Sequence, residues 1–164
     1  MFCFTQHHGI QAGQSLHPGA NKSARVVSPD AFWIGISRKD EWVWTAELDG
    51  SGEVVLSAPR RINDMPEWRD VAIARDAIKH DPHNIRFINR PSAALQRIAV
   101  MQDPTTFSYI ADQDPEVQSD AVFENPGALV YIRQLSEQAR LRWRGIPVRR
   151  REAWCALFPV LVGV

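Results

Sequence analysis

Three stretches of the chain read alike: "AIKHDPHNIRFI" (residues 77–88), "AVMQDPTTFSYI" (99–110) and "AVFENPGALVYI" (121–132). Each begins 22 residues after the one before, and Pro82, Pro104 and Pro126 keep the same interval. A whole pattern moving at a constant interval marks a tandem repeat rather than chance likeness between short words.

In each repeat an acceptor side chain precedes the proline: Asp81, Asp103 and Asn125. An acceptor at the N-cap satisfies an orphan N–H, and proline at the first helical position loses an N–H that had no partner there. Each pair therefore predicts a short helix with apolar residues three apart: Ile85 and Ile88, Phe107 and Ile110, Leu129 and Ile132. Half a period earlier, Asp70, Ser92 and Asp114 predict the caps of longer helices. Their buried stripes are Ile73, Ala77 and Ile78; Leu95, Ala99 and Val100; Val117, Ala121 and Val122. The alanine common to the three marks a close approach of helix backbones. One more step of 22 predicts a cap at Ser136. The pattern then fails, because Pro147 stands where Asp or Asn is due and Gly145 ends the helix. Four long and three short helices are predicted, with the stack ending near Gly145.

The segments "PSAALQRIAVMQDPTTFSYI", "DPEVQSDAVFENPGALVYI" and the weaker "DVAIARDAIKHDPHNIRFI" resemble bacterial short two-helix tandem repeats, the leucine-rich-variant and HEAT-like proteins, over residues 70–144. The resemblance implies an α-solenoid that binds macromolecules. It brings no catalytic residue with it.

Around the repeats the chain changes character. Residues 1–30, rich in Gly, His, Gln and Ser and without hydrophobic period, are expected to be a flexible leader. Residues 31–59 hold "FWIGISR", "EWVWTAEL" and "EVVLSA", a predicted three-stranded antiparallel β-meander with Trp42, Trp44, Ala46 and Leu48 on one face and a hairpin at Asp49 to Gly52. Such a sheet needs cover for its apolar face, from the first helix or from the C-terminal run adding a strand. Residues 67–144 are the helical repeats. Residues 145–164 are a basic segment followed by an apolar C-terminal strand or cap. The expected class is α+β: a small β-meander followed by a short α-solenoid.

Of the 164 residues, 45% are apolar, and 19 Lys and Arg balance 19 Asp and Glu, so no global field steers the protein to nucleic acid or membrane. Cys3 and Cys155 match no metal or redox spacing, the N-terminus does not read as a secretion signal, and the apolar run "AWCALFPVLVGV" is too short to span a bilayer. A cytoplasmic protein with no membrane partner is expected. The local distribution of charge is uneven. Residues 103–132 hold six acids and no Lys or Arg, whereas residues 133–151 hold seven arginines and one acid, Glu137.

Comparing the repeats with one another separates frame from surface. His80, Gln102 and Glu124 are equivalent, as are His83, Thr105 and Gly127, so "HDPH" reads as one version of two exposed, variable positions rather than a metal site. Cys3, His7, His8 and His17 read as a polar tail. Phe87, Tyr109 and Tyr131 form an aromatic ladder expected to pack across the seams. Gln96 and Gln118 either bridge neighbouring repeats or face a ligand. No nucleophile elbow, phosphate loop, zinc-protease or dinucleotide motif is present, and Glu47 and Asp49 lack a further acid or lysine at nuclease spacing. Neither a catalytic residue nor a cofactor or metal is expected.

The leading expectation is a non-enzymatic protein–protein interaction module that uses Met101, Gln102, Phe123 and Glu124 on the repeats. The alternative is nucleic-acid binding, or an acidic partner, through Arg140, Arg142, Trp143, Arg144, Arg149, Arg150 and Arg151, with Trp143 or Trp154 stacking on a base. Head-to-tail self-association of acidic and basic ends is a further reading, as is a solvated end whose arginines pair with the acidic repeat. A small enzyme is the least favoured. On the nucleic-acid reading, binding falls steeply with salt. Changing Arg149, Arg150 and Arg151 together to Ala then abolishes it with helix content unchanged, as checked by filter binding and circular dichroism.

Overall fold

At the end of the aromatic run, Asp49 turns the chain. Its Oδ1 accepts from the Ser51 N–H at 2.9 Å and from the Ser51 hydroxyl at 2.6 Å, the local bonding that lets Asp substitute for a backbone turn. The structure, a computed structural model, describes residues 2–5, 15–16, 25–27, 42–51 and 54–159. Its class is α+β, a small antiparallel sheet followed by helices. The chain divides into two bodies, Met1–Ile73 and Ala74–Val164.

In the first body, strands β1 (Phe2–Thr5), β2 (Ser15–Leu16), β3 (Arg25–Val27), β4 (Trp42–Leu48) and β5 (Val54–Arg61) form one antiparallel sheet in the order β2-β5-β4-β1-β3. The β4–β5 hairpin is the one expected. Two other expectations are corrected. β4 pairs on its far edge with β1, Phe2 opposite Thr45 and Thr5 opposite Trp42, so the place given to residues 32–38 in a three-stranded meander is taken. Residues 32–38 themselves lie outside the described residues. The stretch 1–30, expected as a leader outside the fold, supplies three of the five strands. The cause is the open edges of the β4–β5 hairpin, rows of N–H and C=O groups that short extended segments satisfy whatever their average composition: β1 on β4, β2 on β5, and β3 in turn on β1.

The β4–β5 register shifts between Trp44 and Ala46, and Pro59 stands opposite Trp44 at that break. Proline has no N–H for the ladder and belongs at such an irregularity. The shift also disturbs the expected alternation, since Val43 is buried alongside Trp44 and Ala46, while Trp42 is half-buried beneath the Arg61 guanidinium at 5.2 Å. Two 3-10 helices, Ile62–Asp64 and Pro66–Arg69, follow. They bury Ile62 and Trp68, whose Nε1 donates to the Ile62 carbonyl at 2.8 Å.

Four long helices then start at 22-residue steps: α1 (Val71–His80), α2 (Ala93–Gln102), α3 (Pro115–Glu124) and α4 (Glu137–Arg144). The short segments between them, Pro82–Phe87, Pro104–Tyr109 and Pro126–Tyr131, are 3-10 helices, whose three residues per turn match apolar residues three apart. Every expected cap is made. Asp81 accepts from the His83 N–H, Asp103 from Thr105 and Asn125 from Gly127, at 2.9–3.0 Å. Asp70, Ser92, Asp114 and Ser136 accept from the first turns of α1 to α4. The stripes are buried as expected, except that Ile73 is half-buried and Ala74 takes its place. One apolar cluster runs from Ala74 and Ile78 through Leu95, Ala99 and Phe107 to Val117, Ala121 and Ala128.

Gln96 and Gln118 tie successive repeats together. The Gln96 amide donates to the carbonyls of Pro91 and Asp112 at 3.0 and 2.9 Å, and its Oε1 accepts from the Asp114 N–H at 2.9 Å. One repeat later Gln118 does the same to the Gln134 carbonyl at 3.1 Å and the Ser136 N–H at 2.8 Å. Both side chains are buried. His83 is a second tie, and here the expectation of an exposed, freely varying position is corrected. It is 6% exposed, with Nδ1 3.0 Å from Asp81 and Nε2 3.3 Å from Asp103, and its ring meets Tyr109 edge-on at 5.8 Å. The imidazole bridges the capping acids of two successive 3-10 helices.

After α4 the fourth 3-10 helix is replaced by α5 (Val148–Leu157), whose N-cap, Pro147, has no side chain to accept. The C-terminal region is thus a helix through Leu157, and none of the described strands comes from it. Trp143, at the place of the repeated alanine, fills a terminal cluster with Val122, Leu129, Ala139 and Ile146, against which Trp154, Cys155 and Phe158 pack. Gly127 makes that packing possible. A Cβ there would lie 3.0 Å from the Trp154 ring and 3.1 Å from Asn125 Oδ1.

Three variants test this account. Gln118→Ala leaves the Ser136 N–H and Gln134 carbonyl without their partner and is expected to cost about 1–3 kcal/mol in urea unfolding. Arg97→Ala removes a half-exposed ion pair to Asp120 at 2.8 Å and is expected to cost under about 1 kcal/mol. Gly127→Val is expected to lift α5 from the terminal cluster at a cost of about 1–3 kcal/mol. The release is read as faster reaction of the Cys155 thiol with a disulfide reagent in a Cys3→Ser background.

Candidate functional site

Exposed apolar side chains that share one depression are the starting point. Phe123 near the end of α3 is 51% exposed and Leu141 on α4 is 59% exposed. They line one groove of about 480 Å³ with Ile146 and Pro147 from the turn after α4. Gly145 and Pro147 end α4 and start α5 within three residues, so α5 brings Arg150 to the rim, where Arg142 already stands. The Arg142 guanidinium lies over the Phe123 ring at 4.7 Å, a cation–π contact that aligns the group without neutralising it.

Among the described residues, none of Arg140, Arg142, Arg144, Arg149, Arg150 and Arg151 is in an ion pair. The expected pairing of this segment with the acidic repeat is therefore corrected. Glu116 and Asp120 instead face Arg97, at 3.9 and 2.8 Å, and Arg133 donates to the Ser108 carbonyl at 2.8 Å. Glu116 and Asp120 thus engage Arg97, and among the described residues no carboxylate pairs with the groove's Arg142 or Arg150.

The expected site residues divide accordingly. Phe123, Arg142 and Arg150, assigned from the sequence to two separate sites, come together in this one groove. Met101 and Glu124 are exposed on α2 and α3 but do not line it. The Gln102 amide is used internally, donating to the Ile98 carbonyl at 3.2 Å and to the Ile78 carbonyl at 3.4 Å. Trp143 is corrected outright: at 2% exposed it belongs to the terminal core and offers no face to a base. Trp154 is half-buried and stacked on Phe158 at 5.6 Å. Arg140, Arg144 and Arg149 are exposed and Arg151 is half-buried, all outside the groove lining.

Leu141, Ile146 and Pro147 escaped sequence reasoning. A signal for Leu141 existed: the clamps join residues 18 apart, Gln96 to Asp114 and Gln118 to Ser136. The same offset from Phe123 reaches Leu141.

A second depression of about 590 Å³ is lined by Gln113, Gln118, Arg133 and Ser136 among others. Its glutamines are committed to backbone, Gln113 donating to the Phe107 and Tyr131 carbonyls and accepting from the Arg133 N–H. It is a seam between repeats rather than a receptor. Among the described residues no cluster of three or more His, Cys, Asp or Glu is placed to hold a metal ion, and no helix is long and apolar enough to cross a membrane. Compared with protein-family models, with curated proteins and with solved structures, the chain matches none.

Proposed function

We propose that the repeats form a short α-solenoid of the leucine-rich-variant-like or HEAT-like kind and that the protein is a non-enzymatic interaction module. It holds a protein partner on the face of α3 and α4 that carries Phe123 and Leu141. The exposure of these two side chains in one groove is the observation that carries the reading, since apolar groups brought together at the surface in a depression mark an interaction site. The recurrent caps and glutamine ties support the solenoid, a rigid frame whose variable positions present the surface. A cytoplasmic setting suits Cys155, a free thiol against the terminal cluster. The nucleic-acid alternative keeps its exposed arginines but loses Trp143 as a stacking platform.

The test is affinity capture by the full chain, with nuclease and salt washes, comparing wild type with Phe123→Asp plus Leu141→Asp. A protein that survives both washes and is lost from the double variant, with helix content unchanged, is the expected result. A partner that disappears with nuclease returns the function to the arginine segment.

A further inference from the structure

Two properties of the groove together restrict what fits it. Its lining is mainly apolar, with Phe123, Leu141, Ile146 and Pro147, and it also carries the two cations Arg142 and Arg150 beside the neutral Ser119 and Gln138. At about 480 Å³ it has the size of a ligand pocket rather than of a flat protein interface, so it receives side chains rather than a domain face.

Among the described residues no carboxylate pairs with these cations: Glu116 and Asp120 face Arg97, and residues 133–151 contain Glu137 alone against seven arginines. The Arg142 guanidinium lies over one face of the Phe123 ring at 4.7 Å, which holds the guanidinium in place while the Phe123 side chain stays half-exposed. A planar guanidinium so held presents its N–H edge for paired bonds to a carboxylate.

We propose that the groove binds a short acidic segment of a protein chain bearing one apolar anchor. The anchor enters between Phe123 and Leu141, and the flanking acids bond Arg142 and Arg150. This rests on the reading of the protein as an interaction module and names the class of partner that the module takes.

The probe is a fluorescein-labelled peptide, Asp-Glu-Asp-Phe-Glu-Asp, titrated against the full chain by fluorescence anisotropy. Three comparisons accompany it: the same peptide with alanine in place of phenylalanine, labelled oligothymidylate, and the variant Arg142→Gln plus Arg150→Gln. Loss of the anchor is expected to weaken binding about tenfold. Loss of the two guanidiniums is expected to weaken it by at least about tenfold, with unchanged circular dichroism. Weaker binding of oligothymidylate than of the peptide completes the expected pattern.

Equal affinity for the two peptides, tighter binding of oligothymidylate, or no peptide binding at all overturns the proposal. If the peptide fails while Phe123→Asp plus Leu141→Asp still abolishes partner capture, the acidic-peptide class falls and the module reading stands. If that double variant also captures as wild type does, both fall.

Discussion

An acceptor side chain placed just ahead of a proline governs the helical half of this protein. Asp81, Asp103 and Asn125 each accept the N–H two residues on, over a proline that has none to offer, and each thereby stops one long helix and opens a 3-10 turn. The N–H groups of the same three residues bond the carbonyls of Ala77, Ala99 and Ala121 at 2.8–3.0 Å, closing the preceding helix. One residue thus ends an element and begins the next, which leaves no slack in the connection and fixes the 22-residue period. Where the acceptor is missing, at Pro147, the rule lapses and a full helix grows instead of a 3-10 turn.

Local caps set where helices begin but do not align one repeat with the next. That role falls to buried polar ties of matching reach. Gln96 and Gln118 each satisfy a carbonyl and an N–H of the following repeat, and His83 spans the capping acids Asp81 and Asp103. Such groups are costly to bury unless every bond is made, so they select one register among the many that a greasy interface would tolerate. The exposed Arg97–Asp120 pair, in water's dielectric, adds little by comparison.

The groove is a product of the last repeat's divergence. Gly145 and Pro147 bend the chain, α5 replaces a 3-10 helix, and Trp143 fills the space that alanine occupies in the earlier repeats. Trp154 closes over Gly127. These substitutions seal the terminal cluster and at the same time leave Phe123 and Leu141 more than half exposed. The divergence that ends the 22-residue pattern and the formation of the groove are here the same structural event.

The sequence by itself determined the positions of α1 to α4 and of the three 3-10 helices between them, their caps, the hairpin at Asp49 and most of the buried stripes, because each depends on residues two to four apart along the chain, where spacing is geometry. Only the tertiary structure decided what joins residues from different repeats or distant strands. Residues 1–30 looked unstructured by composition, yet three short strands from them extend the sheet, β1 on β4, β3 on β1 and β2 on β5. Trp143 looked like an arginine-flanked stacking residue until the cluster around Val122 and Leu129 enclosed it. Gln96 stood equally for a tie or a ligand contact, and a backbone carbonyl 16 residues on settled it as a tie. Phe123 and Arg142 became one site through the packing of α3 against α4, a relation set by shape and side-chain volume across a repeat and written in no single local motif.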